Sequence, residues 1–99
     1  MDATESFYAG WGLTMLFYAA VHAVQAYFVT QGRYPITHAH RDSSIQRDAN
    51  IRAIYIDYRE MENLSRVARY DTIPNTEADL NSAKECLHRI RSIIDPLLR

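Results

Sequence analysis

Residues 6 to 32 contain no Asp, Glu, Lys or Arg. A run that long and that apolar has two folded fates: a helix across a bilayer, or a helix covered by protein around most of its circumference. Its composition decides between them. The run carries His22, Gln25, Thr14 and two glycines, many of its apolar positions are alanine, and no cationic residue flanks its N-terminal end. It is therefore read as the central helix of a soluble bundle, with no membrane partner and a cytoplasmic setting. The expected helix runs from Ala3 to Gln31. Asp2 with Glu5 three places on resembles a capping box, and Gly32 followed by Pro35 supplies the stop. Because its apolar positions go nearly all the way round, neighbouring helices or a second copy of the chain should enclose it.

The chain has 99 residues, which suits one domain spanning 1–99 and excludes doubly wound dinucleotide folds and (β/α)₈ barrels. Its three glycines leave no phosphate-cradling loop, so no nucleotide cofactor is expected. A hydrophobic fraction of 47% argues against disorder. A domain of this size buries only somewhat over 60% of its unfolded surface, so pairing with a second copy would help it. Cys86 is the only cysteine, which excludes an intrachain disulfide and a cysteine-based zinc site and fits a reducing compartment.

Charge is unevenly placed. Ten of the eleven basic residues are arginine, Lys84 being the exception, and the net charge of −1 divides into −2 for residues 1–32, +2 for 33–70 and −1 for 71–99. The middle is far less cationic than a dedicated duplex-DNA binder, so any nucleic-acid contact should be local and salt-sensitive.

After the first helix, residues 32–43 (GRYPITHAHRDS) read as a loop, with Asp42 or Ser43 capping the next helix. A short helix over about 44–50 and a longer one over about 51–69 are expected, with one continuous helix as the alternative. Ile51, Ile54, Tyr58, Met61, Leu64 and Ala68 form its buried stripe, and Arg52, Arg59 and Arg66 recur at intervals of seven on another face. The last helix opens at Thr76 with Asp79 and carries Leu80, Ala83, Leu87, Ile90, Ile94 and Leu97 at steps of three and four, fraying near Pro96. The fold class is all-α, an antiparallel up-and-down bundle of four to five helices.

Four histidines supply groups that titrate near neutrality. His22 lies ten residues before the end of its helix and reads as a core histidine unless the loop folds back to it. His38 and His40 with one nearby acid are too few for a metal centre, and no metal is expected. A metal-independent ribonuclease needs a base, an acid and a cation over the developing phosphorane charge. Arg33, His38, His40 and Arg41 supply those types within nine residues.

The segments WGLTMLFYAAVHAVQAYF, HAHRD and YREMENLSRVARY, within residues 7 to 70, resemble small prokaryotic members of the HEPN superfamily. The positions that carry the resemblance are His22, His40, Arg41, Ser65–Arg66 and Arg69–Tyr70. It implies a helical bundle that commonly dimerises and binds RNA or nucleotide, often as a metal-independent ribonuclease of toxin–antitoxin, CRISPR or phage-defence systems, with an antitoxin or defence-complex protein as partner. Catalysis in such domains uses an arginine and a histidine with four to six residues between them, facing each other across the dimer. Only Arg33 with His38 or His40 meets that spacing here. Arg66, Arg69 and Tyr70 become candidate nucleic-acid contacts, although Arg66 and Arg69 could equally bond helix-end carbonyls or pair with Asp57, Glu62 or Asp71. Members without the motif act as binding modules or dimerisation scaffolds, which is the alternative reading.

Overall fold

The computed structural model describes the backbone of residues 3–70 and 75–98, and the side chains of 8–68 and 75–98. It has four α-helices, α1 (Ala3–Thr30), α2 (His38–Arg47), α3 (Tyr55–Tyr70) and α4 (Glu77–Ile94), with 3₁₀ turns at Arg52–Ile54 and Asp95–Leu98. No strand occurs among the described residues. Phe17 meets Tyr58 while Gly10 lies against Ala68, so α3 runs antiparallel to α1. Asp57 meets Arg89, which turns α4 back again alongside α1, where Leu80 packs against Gly12. The three long helices thus run up, down and up, and α2 is a short buttress against them.

The core takes Ile51, Ile54, Tyr58 and Met61 from the first predicted stripe and Ala83, Ile90 and Ile94 from the last. Leu64, Ala68, Leu80 and Leu87 are partly buried, and Leu97, expected inside, is 40% exposed because it lies in the 3₁₀ turn after α4. Leu13, Phe17, Ala20, Val24, Tyr27 and Phe28 of α1 meet Ile45, Ile51, Ile54, Tyr58 and Met61, and Ala83, Cys86, Ile90 and Ile94 of α4 close the other side. Each large side chain buried this way contributes about 1.5–3 kcal/mol. Thr76 and Asp79 form the expected capping box at the start of α4. Gly32 adopts φ +69°, a left-handed conformation that glycine takes without steric cost, and ends the turn after α1.

Two expectations change. The segment HAHRDS is not loop: the Thr37 side chain accepts a hydrogen bond from the His40 amide and starts α2 at His38, so the connection shortens to residues 31–37. Asp42 and Ser43 lie inside α2 and cap nothing. The break before α3 comes from Asp48, whose carboxylate accepts the amides of Asn50 and Ile51 and turns the chain into the 3₁₀ turn.

The second change concerns α1. Tyr8–Thr30 is long and apolar enough to cross a membrane by length and composition, yet 39% of that window is buried inside the bundle. Among the described residues only one face is enclosed. The opposite face carries Tyr8, Trp11, Met15, Tyr18 and Val29, between 49% and 68% exposed, with exposed Ala19, His22 and Ala26 among them.

Candidate functional site

The arginines and histidines singled out from the sequence fall into separate clusters. Arg33, just past α1, pairs with Asp48 at 3.2 Å and lies over the Phe28 ring, 4.7 Å from its centre. The same carboxylate accepts from the Tyr27 hydroxyl at 3.0 Å, and the Asn50 amide donates to that hydroxyl. Burial and, secondarily, the Asp48 charge push the Tyr27 hydroxyl above its ordinary value, against the pull of Asn50. Asp48 is thus the hub that joins α1, the 31–37 connection and the turn into α3.

Arg41 belongs to a different cluster. It is buried in α2, its Nε donates to Gln25 Oε1 at 3.4 Å, and its Nη1 lies 3.3 Å from His38 Nδ1. The Gln25 amide nitrogen in turn donates to the Pro35 carbonyl at 3.0 Å. One α1 side chain therefore pins both the connection and α2, and the chain does fold back along α1. It returns to the level of Phe17, whose ring stacks on His38 at 6.0 Å.

This geometry limits the chemistry of His38. A guanidinium can only donate, so Nδ1 accepts and the neutral ring carries its proton on Nε2. The lone pair that a general base would use is already occupied. His40 is exposed on the first turn of α2, and two residues apart on a helix the two histidines face different sides. His22 is not a core histidine; it lies on the exposed face of α1. Arg66 is exposed and donates to Asn63 at 3.2 Å, rather than pairing with Asp57 or Glu62. The side chains of Arg69 and Tyr70 lie outside the described residues.

A polar cluster between α2 and α3 goes beyond the residues that the sequence singles out. Arg59 Nη1 donates to Asp42 Oδ2 at 3.2 Å and to Glu62 Oε1. Around this ion triplet stand Arg41, His38 and the buried hydroxyl of Tyr58. Burial pushes Tyr58 up to about 12 despite the nearby Arg41 charge. Burial and then the Asp42 charge raise Glu62 above its ordinary value, outweighing Arg59. Tyr58 and Glu62, four apart, and Arg59 and Glu62, three apart on α3, are what the sequence shows of the cluster.

On the far side, α1 and α4 border a groove of about 490 Å³, floored by Leu16 and Leu87 and edged by Lys84, His88 and Arg91. Arg91 is engaged there by Asp95. Cys86 is buried, and burial followed by Asp57 pushes its thiol up, which makes it a poor nucleophile. Among the described residues no three His, Cys, Asp or Glu side chains converge as a metal centre. Compared with protein-family models, curated proteins and solved structures, the chain matches none of them.

Proposed function

We propose that the protein is a homodimerising helical module whose output is binding rather than catalysis. The observation that carries this reading is the outer face of α1, an apolar stripe on a helix without a single charged side chain from residue 6 onward. Scaled by their exposures, its five large side chains present on the order of 600 Å² per copy, or about 1,200 Å² for a pair, the lower end of specific interfaces. Exposed Tyr34 and Ile36, brought alongside by the Gln25–Pro35 hydrogen bond, widen its margin. A charge-free surface has nothing with which to select a charged partner, and a second copy matches it in both chemistry and length.

The stripe also complements itself. Tyr8, Trp11, Met15 and Tyr18 fill its N-terminal half, whereas Ala19, His22 and Ala26 occupy most of the C-terminal half. Antiparallel pairing about a two-fold axis sets Trp11 of one copy against Ala26 of the other and Met15 against His22. A dimer also agrees with the resemblance to HEPN domains, and among these the reading corresponds to the scaffolds that lack a catalytic pair.

Light scattering at micromolar concentration tests the proposal. The parent is expected to run at twice the chain mass. Met15→Glu with Tyr18→Glu, which would bury four charges per dimer, should run as a folded monomer with dimer affinity lowered at least 100-fold. A monomeric parent would sink the reading.

A further inference from the structure

We propose that Asp42 and Glu62 hold one proton between them and that this proton latches α2 onto α3. The hydrogen-bond partners, counted oxygen by oxygen, point to it. Arg59 serves one oxygen of each carboxyl group, Asp42 Oδ2 and Glu62 Oε1. The other oxygens, Asp42 Oδ1 and Glu62 Oε2, are both buried and have no partner. Two carboxylate oxygens are acceptors and cannot satisfy each other, and leaving both buried and bare is costly. The two carboxyl groups converge on one nitrogen, Arg59 Nη1, which brings them next to each other. A single proton converts one oxygen into a donor to the other and satisfies both at once.

The surroundings favour that state. Arg59 is one cation for two carboxylates. From α2, Arg41 is directed to Gln25, His38 and the neighbourhood of Tyr58, and a charged His38 would oppose the shared proton, but its Nδ1 faces the Arg41 guanidinium and accepts, which leaves the ring neutral. From α3, Tyr58 adds a buried neutral hydroxyl. From α1, Phe17 packs on both His38 and Tyr58, and this stretch contributes no charge. Glu62 titrates above its ordinary 4.5, because of burial first and Asp42 second.

Linkage sets the direction of the pH dependence. A carboxyl group with a raised folded-state value stabilises the folded arrangement fully below its ordinary value and loses that contribution as pH rises through the raised one. Proton loss leaves two like charges on one guanidinium across the α2–α3 junction, and α2 loosens. The opening equilibrium of α2 should rise about tenfold per pH unit across that window.

Hydrogen exchange of the α2 amides, expressed relative to intrinsic rates, and urea unfolding are measured on the parent and on Glu62→Gln from pH 4.5 to mildly alkaline pH. Glutamine keeps the donor and cannot lose a proton. Falling α2 protection and a falling urea midpoint in the parent, with both nearly flat in the variant, are expected. Parallel pH profiles for the two proteins overturn the latch. If Glu62→Gln does not fold, infrared spectra of the parent and Asp42→Asn decide. A protonated-carboxyl band that persists above the ordinary carboxyl range in the parent alone supports it, and its absence from the parent overturns it.

Discussion

Asp48 shows how much a single side chain can organise in a domain this small. Its carboxylate, only 8% exposed, holds the Tyr27 hydroxyl, the Arg33 guanidinium and two backbone amides of the turn into α3. Asp48→Ala leaves those donors without their acceptor and is expected to cost about 3 kcal/mol in urea unfolding. Arg33 is 43% exposed, so Arg33→Ala removes a solvent-screened pair and a ring contact and should cost within about 1 kcal/mol. A larger loss from the arginine than from the aspartate would contradict the hub. The same pairings bear on catalysis, because Arg33 is committed to Asp48 and the His38 lone pair to Arg41. Purified protein incubated with RNA in EDTA is expected to leave it intact. Cleavage by the parent that His40→Ala abolishes would overturn the non-catalytic reading and restore the ribonuclease expected from the Arg/His spacing.

Elements differ in how openly the sequence announces them. The start of α4 is legible because its signal is local: Thr76 and Asp79 cap each other within one turn. The start of α2 is not, because Thr37 caps with its hydroxyl alone and its third neighbour is His40 rather than an acid, while the histidines and Asp42 give the segment the look of a loop. Thr37→Ala should therefore cost about 1 kcal/mol and speed exchange of the first-turn amides of α2, with α4 unaffected. For α1 the length and the Gly32 stop are legible, but not which side faces inward. A helix apolar on every side has no period from which to choose, so His22, expected in the core, lies outside it. The Asp42–Arg59–Glu62 triplet is hidden for another reason. Arg59 and Glu62 are three apart on α3, but Asp42 is distant in sequence, and only the return of the 31–37 connection along α1 brings α2 against α3.

At the scale of the molecule, the described residues, arranged as three long helices and a buttress, enclose α1 on one side only. An α1 stripe running from Tyr8 to Val29 has its midpoint between Tyr18 and Ala19. If two copies pair antiparallel about that point, position 19 faces its own counterpart near the two-fold axis, and Met15 of one copy faces His22 of the other. Cysteine cross-linking reads this register directly, because the single native cysteine is buried. Ala19→Cys chains should oxidise to a covalent dimer. Met15→Cys and His22→Cys chains should each cross-link poorly alone and efficiently when mixed, since a disulfide requires Cα atoms within about 7 Å. A parallel dimer gives the opposite pattern, with Met15→Cys joining to itself and the mixture gaining nothing. That outcome would leave two copies in contact but place bulky residues against bulky residues, and the complementarity argued for the α1 face would have to be abandoned.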